Sequence, residues 1–372
     1  MKENLKNWKK LKMIFEDYAI FTPGPVRMSE EILQIGAKQT PYFRNSEFSE
    51  VTFACEKGLL EMVNAEEGSK VIFLTASGTA GMESAVMNLL NESDNALVVN
   101  GGGFGQRFVD ICQTHEVLHT NFTVKDTNLS EIDSVAPAGD YTALVVNAHE
   151  TSVGHLYNLD AMGKYAAKKD MLFIVDAISM LVTDPLDMQK SNIDVVIAGS
   201  QKGLALPPGL AMVILNPKAQ QKLRHVDSLY FNFKSYLENG ERGQTPYTPA
   251  VTIMLQLEAR LKQIKQRGGV VQSIANAKEV AEYFRKSIKT LPLKEYTPYM
   301  PNAMTTLTPT DGKSAMDVVN ALEENYKVMV CPNGGAEREL VFRISHMGEM
   351  SKEYTDILIN ALHQYYGVVR PS

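Results

Sequence analysis

The stretch Asp194-Val-Val-Ile-Ala-Gly-Ser-Gln-Lys-Gly-Leu-Ala-Leu-Pro-Pro-Gly209 decides the fold of this chain. Its first half is apolar and β-branched, which predicts a buried strand, and its second half is a polar loop broken by glycine and proline. Lys202 therefore follows the end of a buried strand. An amine held there can lose hydration, and the lowered pKa would let it attack a carbonyl to form a Schiff base. A solvated loop lysine is the alternative that this stretch leaves open.

Composition is that of an ordinary globular protein, and it excludes several functional classes. The chain has 372 residues, of which 44% are hydrophobic, and its net charge of -6 disfavours nucleic acid as a partner. Its three cysteines are far apart, which favours reduced thiols over disulfides. Neither a signal peptide nor a membrane span is expected, and no histidine pattern indicates a metal site. We expect a cytoplasmic protein with small-molecule substrates.

Short apolar runs alternate with helical patterns and turns through the first two thirds of the chain. Strands are predicted at 71–74, 96–100, 117–124, 143–147, 172–176, 195–198 and 211–215, and helices at 29–39, 46–63, 82–90, 106–114 and 160–169. The polar residues of 117–124 place that strand at an edge. This alternation predicts an α/β fold with a mostly parallel sheet of about seven strands. Chemistry in such a sheet gathers at the carboxyl ends of its strands.

The pattern changes in the last third of the chain. Residues 230–249 are interpreted as an extended, aromatic-rich segment, followed by helices at 253–267 and 272–291. Strands at 302–307, 328–331 and 340–344 with helices at 315–326 and 352–366 predict a smaller α+β domain. We therefore expect an N-terminal segment at 1–25, a large domain at 26–265 and a small domain at 266–372.

Several polar residues near the predicted strands could carry chemistry. Asp176 ends an apolar strand and would need a cationic partner, such as the protonated ring nitrogen of pyridoxal phosphate; a capping role is the alternative. Ser77-Gly-Thr79 opens a helix whose free N–H groups suit a phosphate, or merely caps it. Phe104 lies in a glycine-rich loop and could contact a flat ring. Arg343 suits a substrate carboxylate or a structural salt bridge.

Eight short motifs, in sequence order, resemble those of the class V pyridoxal-phosphate aminotransferases. They are Thr22-Pro-Gly-Pro25, Ser77-Gly-Thr79, Asn100-Gly with Phe104-Gly-Gln-Arg107, Glu150-Thr-Ser152 with Gly154, Val175-Asp-Ala177, Gly199-Ser-Gln-Lys-Gly203 with Pro207-Pro-Gly209, Thr248-Pro249 and Arg343-Ile-Ser-His-Met-Gly348. The chain is most similar to the alanine-glyoxylate, serine-pyruvate and 2-aminoethylphosphonate transaminases. The resemblance implies the fold type I of pyridoxal-phosphate enzymes, bound pyridoxal 5'-phosphate and a homodimer.

The resemblance also implies a role for each matching residue. Lys202 would bond to the cofactor and then move a proton, Asp176 would pair with the pyridine nitrogen, and Phe104 would stack on the ring. The other implied contacts are Ser77, Gly78, Thr79 and Gln201 at the phosphate, Thr248 at the phosphate of a neighbouring subunit, Thr151 or Ser152 at the ring hydroxyl, Arg343 at the substrate carboxylate and Gly24 at the wall of the site. If Thr248 reaches across, the two subunits share their active sites.

Two departures from the family pattern concern substrate choice. Relatives of the alanine-glyoxylate type often carry tyrosine at the position of Thr245, for which Tyr247 could substitute, and some have glycine at the position of Ser345. We expect a ping-pong transaminase that moves an amino group from alanine, serine or a similar donor to pyruvate or glyoxylate. The alternatives are a 2-aminoethylphosphonate transaminase, a lyase of the cysteine desulfurase or kynureninase kind, and a non-catalytic binding protein. Cys331 precedes a proline in an apolar strand, which counts against a desulfurase.

Overall fold

The computed structural model describes residues 18–371, so residues 1–17 of the predicted N-terminal segment lie outside the described part. The strands, in chain order, are β1 (Ala19–Ile20), β2 (Lys70–Leu74), β3 (Asn95–Asn100), β4 (Leu118–Thr123), β5 (Ala143–Asn147), β6 (His149–Glu150), β7 (His155–Leu156), β8 (Leu172–Asp176), β9 (Val195–Gly199), β10 (Ala211–Leu215), β11 (Leu293–Glu295), β12 (Met304–Pro309), β13 (Val328–Met329), β14 (Cys331–Pro332) and β15 (Phe342–Ser345).

Helices separate most of these strands, as the alternating sequence pattern predicts. They are α1 (Glu30–Gly36), α2 (Ser46–Met62), α3 (Gly78–Leu89), α4 (Gly103–Thr114), α5 (Ile132–Val135), α6 (Leu159–Lys168), α7 (Pro217–Gln221), α8 (Phe233–Gly240), α9 (Val251–Gln266), α10 (Gly269–Ser287), α11 (Ala315–Tyr326) and α12 (Lys352–Tyr366). None of the helices between residues 18 and 371 is long and apolar enough to cross a bilayer.

The large sheet has the strand order β2-β10-β9-β8-β5-β3-β4. Only β10 runs antiparallel to its neighbours, and the other pairs are parallel. Strands β5, β8, β9 and β10 are buried along their whole length, because helices cover both faces of the sheet. The polar strand β4 pairs with β3 alone, which confirms the predicted edge position.

Two sets of helices bury the two faces of this sheet. The core on one face includes Leu59 of α2, Met162 of α6 and Met254 of α9. The opposite face packs against Met82 of α3, Phe108 of α4 and Phe233 of α8. Each such buried side chain contributes about 1.5–3 kcal/mol through removal of apolar surface from water.

The structure corrects two local predictions. Residues 230–249 are not extended throughout, because Phe233 and Tyr236 bury one side of helix α8 and the Phe233 N–H donates to Asn88 Oδ1 at 2.9 Å. Helices α3 and α4 begin at Gly78 and Gly103, earlier than the predicted starts at 82 and 106. The glycines that indicate turns in the sequence are thus first-turn helix residues, where close packing outweighs low helix propensity.

A second sheet, with the antiparallel order β11-β12-β15-β14, forms the C-terminal part of the fold. Helices α10, α11 and α12 share its core, which includes Phe284, Val318, Leu322, Phe342 and Leu358. Strand β1 pairs in parallel with β13, and Phe21 is buried in the same core. The chain is thereby anchored to the second sheet before it passes to the large one.

Candidate active site

The carboxyl ends of three adjacent parallel strands form the floor of the candidate site. Strand β5 ends at Asn147, β8 ends at Asp176 directly opposite Asn147, and β9 ends at Gly199, shortly before Lys202. Adjacent parallel strands bring their carboxyl ends to one edge of the sheet. The sheet order therefore places Asp176 and Lys202 together although they are distant in sequence.

Lys202 is enclosed by the segment that enters from the second sheet. Its amine donates a hydrogen bond to the Pro23 carbonyl. A Cβ on Gly24 would lie 2.9 Å from Lys202 Cδ and 3.1 Å from the Gln201 carbonyl oxygen, and the φ of Gly24 is +123°. Only glycine tolerates that conformation and approach. The structure thus places Gly24 against Lys202, and its role at the wall of a substrate site stays a prediction.

The environment of Lys202 lowers the pKa of its amine. Burial, and after it the nearby positive charge of Arg343, lower the pKa of the Lys202 amine, Asp176 opposes both effects, and the resulting pKa is about 8. A lysine with a pKa near neutrality can act as a nucleophile and can exchange protons.

Asp176 is buried among neutral donors. Its carboxylate accepts from Asn147 Nδ2 at 2.5 Å and from the Ile178 N–H at 2.8 Å. Burial raises the pKa of Asp176 to about 6. A buried carboxylate whose partners are neutral has the chemistry to hold a cationic ring N–H, so the floor of the site fits a protonated pyridine.

The start of helix α3 faces the same region. Ser77 is its N-cap, and within residues 18–371 its side chain makes no capping hydrogen bond, so the first-turn N–H groups of α3 keep their capacity for an anion. Arg107 Nη1 donates to Thr79 Oγ1 at 3.0 Å. Ile178 packs against this helix start, because its Cδ1 would lie 2.3 Å from a Cβ on Gly78.

Gln201 lies near the start of helix α3. On the other side of Ile178, a Cβ on Gly199 would lie 3.2 Å from Ile178 Cγ2 and 3.1 Å from Gln201 Oε1. Ile178 therefore lies next to both the helix start and Gly199, and Gln201 also approaches Gly199. Together with the guanidinium of Arg107, they offer N–H donors and positive charge suited to a phosphate.

Glu150 holds Phe104 in place, a role that the sequence did not reveal. The carboxylate of Glu150 is buried and accepts from the Phe104 N–H at 3.2 Å and the Gly105 N–H at 2.8 Å, so it caps the start of helix α4. The guanidinium of Arg107 lies 4.7 Å from the centre of the Phe104 ring. The sequence signal for this role is the acidic residue of the motif Glu150-Thr-Ser152, which is followed by two hydroxyl residues.

The hydroxyls of Thr151 and Ser152 are engaged within the protein. Thr151 Oγ1 donates to Ser179 Oγ at 2.8 Å, and Ser152 Oγ donates to Glu150 at 2.5 Å while it accepts from the Gly103 N–H at 3.0 Å. His149 is also buried, and its Nε2 has no hydrogen-bond partner among the described residues. The assignment of Thr151 or Ser152 to a ring hydroxyl stays a prediction.

Arg343 reaches the site from strand β15 of the second sheet. Its Nη1 donates to the Thr151 carbonyl at 3.2 Å, which ties strand β15 to the turn after β6, and its Nη2 donates to Cys331 Sγ at 3.0 Å and to the Pro332 carbonyl at 2.8 Å. These partners are not carboxylates. Within the described part of the chain the guanidinium therefore pairs with no acidic side chain, and the salt-bridge interpretation of Arg343 is not what the structure shows.

Thr248 is the residue that the family resemblance assigns to the site of a neighbouring subunit. It is exposed, and its carbonyl oxygen accepts from Thr75 Oγ1 at 3.5 Å, beyond the end of β2. Thr245 is buried, and Tyr247 stacks on Tyr230 with ring centres 5.3 Å apart. The Thr245 hydroxyl donates to the Tyr247 carbonyl, and the Tyr247 hydroxyl donates to the Leu229 carbonyl.

Comparison with known proteins gives a consistent result. Residues 37–345 match the family model described as Aminotransferase class-V. An uncharacterized aminotransferase of Helicobacter pylori is 30% identical over 350 residues, which are 92% of each chain. The alanine–glyoxylate aminotransferase of Felis catus is 26% identical and covers 92% of this chain and 86% of its own. The structure of an aspartate aminotransferase of subgroup IV from Thermus thermophilus has a TM-score of 0.86 and 26% identity, over 93% of this chain and 99% of that one.

Proposed function

This chain belongs to the class V aminotransferases, and from that membership we propose that it moves an amino group from a small donor such as alanine or serine to a short 2-oxo acid such as pyruvate or glyoxylate. The observation that carries the proposal is the meeting of Lys202, Asp176 and the start of helix α3 at one sheet edge, with Arg343 facing them. The cofactor is pyridoxal phosphate, which when bound supplies an electron-withdrawing ring that stabilises negative charge at the reacting carbon.

We assign to Lys202 both the bond to the cofactor and the transfer of the substrate proton. With a pKa of about 8, a substantial share of its amine is uncharged near neutral pH, which both steps require. The Pro23 carbonyl, which accepts from this amine, and the backbone of Gly24 limit where the nitrogen can point.

Other residues would hold the cofactor in a defined orientation. Asp176 would pair with the protonated ring nitrogen, and Asn147 holds that carboxylate in place. The phosphate would lie at Ser77, Gly78, Thr79 and Gln201, and Phe104 would lie against the ring. Arg107, which contacts both Thr79 and the Phe104 ring, is an addition to this set.

Arg343 would bind the substrate carboxylate, and the same guanidinium would hold the phosphonate of the alternative donor 2-aminoethylphosphonate. Among residues 18–371 its Nη1 and Nη2 donate to two backbone carbonyls and to the Cys331 sulfur, and to no carboxylate, which leaves its positive charge available. The Felis catus relative is named for alanine and glyoxylate and the Thermus thermophilus protein for aspartate, so the donor must be established by experiment.

The assembly and the domain division are further proposals. We propose a homodimer in which Thr248 of each subunit reaches the phosphate of the other, and the exposure of this residue supports that proposal. Separate apolar cores support a large domain at 26–265 and a small domain at 266–372. A cytoplasmic location stays a prediction.

A single-turnover donor screen tests the proposed reaction. Holoenzyme is mixed with alanine, serine, aspartate or 2-aminoethylphosphonate, each without an acceptor, and the released oxo product is quantified by mass spectrometry. Alanine or serine should release about one product per active site, and Lys202→Ala should release none. The exposed Lys278 provides the matched control, because Lys278→Ala should behave as wild type. Release from aspartate or the phosphonate alone would refute the donor class, and release from no donor would refute transamination.

A further inference from the structure

Arg343 stands between two side chains across the second sheet. In the register of β12, β15 and β14, Arg343 is directly opposite Thr306 on one side and Cys331 on the other. Directly opposite residues of an antiparallel pair point to the same face, with Cβ atoms roughly 5 Å apart. Pairing of β14 with β15 therefore holds the Cys331 thiol beside the guanidinium.

The Nη2 nitrogen of Arg343 is the donor for which its present partners and a substrate carboxylate would compete. Nη2 donates both to Cys331 Sγ at 3.0 Å and to the Pro332 carbonyl at 2.8 Å, whereas Nε is buried without a partner among the described residues. A bidentate carboxylate needs two adjacent N–H groups, either on Nε and Nη2 or on Nη1 and Nη2. Both pairs include Nη2, so such a carboxylate must displace the thiol or the carbonyl.

The thiol is the weaker of these two acceptors, because sulfur accepts hydrogen bonds poorly and a backbone carbonyl accepts them well. Displacing the thiol also gives the carboxylate the second N–H that it needs. The thiol is thus the partner that yields when a carboxylate binds.

We propose that Cys331 determines substrate affinity: its thiol occupies Nη2 of Arg343 in the free enzyme and is displaced by the substrate carboxylate. This inference rests on the proposed function, which assigns the substrate carboxylate to Arg343. The weaker the acceptor at position 331, the tighter the carboxylate binds. The desulfurase alternative gives the same cysteine an attacking role, which its place in a paired strand disfavours.

Substitutions at position 331 test this idea in opposite directions. Cys331→Ala removes the competing acceptor and should tighten carboxylate binding, whereas Cys331→Ser introduces a stronger acceptor and should weaken it. Each change should be about two- to tenfold, the range of one exchanged hydrogen bond. KM for the amino donor should follow the same order with kcat unchanged. A merely structural role would instead make both variants weaker.

The binding experiment uses propionate, a carboxylate that cannot be transaminated, on the holoenzyme by titration calorimetry. The dissociation constant should rise in the order Cys331→Ala, wild type, Cys331→Ser, and propionamide should not bind. Thr306→Val is the matched control, since Thr306 is directly opposite Arg343 on the other side of β15 and its Oγ1 has no partner among the described residues. Its propionate affinity should equal that of wild type.

The outcomes separate the inference from the proposed function. Equal propionate affinities in the two Cys331 variants, with normal product release from alanine or serine, would overturn the inference alone. The predicted order without release from any donor would overturn the transaminase proposal and support the inference. If Arg343→Gln binds propionate as wild type does, the carboxylate lies elsewhere and the inference fails with that assignment.

Discussion

The lowered pKa of Lys202 leads to a prediction that can be tested on the enzyme without its cofactor. A lysine with the ordinary pKa of 10.5 is uncharged in about one molecule per thousand at pH 7.5, whereas a pKa of about 8 makes roughly a quarter of the molecules uncharged. The structure thus predicts about a 200-fold gain in reactive amine at that pH. Competitive acylation with a small anhydride, followed by peptide mass spectrometry, measures this gain residue by residue.

Two substitutions should move the labelling midpoint of Lys202 in opposite directions. Arg343→Gln removes a nearby positive charge and should raise the pKa of Lys202, whereas Asp176→Asn removes a negative charge and should lower it. Exposed lysines such as Lys278 provide an internal reference in every sample, because their labelling should not change.

The reasoning is refuted if wild-type Lys202 is labelled with a midpoint near 10.5, since burial would then fail to perturb it. A shift of the same sign in both variants would refute the electrostatic explanation and leave burial alone as the cause. Circular dichroism of each variant verifies that the fold is intact before the pH series is interpreted.

Two further substitutions test contacts that enclose the site. Gly24→Ala should lower kcat about 10- to 100-fold by pushing Lys202 aside, whereas Gly240→Ala, where an added Cβ meets nothing within 4 Å, should not; equal rates would contradict the packing argument. Glu150→Gln should cost about 1–3 kcal/mol in the free energy of unfolding and weaken cofactor binding, because the charged acceptor for the N–H groups at Phe104 and Gly105 is lost. Urea denaturation measures the free energy of unfolding, and titration measures the cofactor affinity. If both are unchanged in Glu150→Gln, the proposed capping role of Glu150 is wrong.

The sequence was sufficient for the features that depend on local pattern. Apolar β-branched runs followed by polar residues predicted the buried strands and put Asp176 and Lys202 at strand ends. The rule that parallel sheets gather chemistry at their carboxyl ends then placed the site. Local pattern was misleading where tertiary contacts outweigh propensity, as in helix α8 and in the glycine starts of α3 and α4.

The sequence by itself thus determined the kind of fold and the positions of Lys202 and Asp176 at strand ends, because each is marked by a short run of neighbouring residues. Only the tertiary structure decided that Gly24 touches Lys202, that Glu150 caps helix α4 and that Cys331 occupies the guanidinium of Arg343. The first two contacts join residues far apart in the chain, and the third depends on which residues of β14 and β15 stand opposite each other. Strand order and register set these contacts, and a shift of one residue would turn Cys331 to the other face of the sheet.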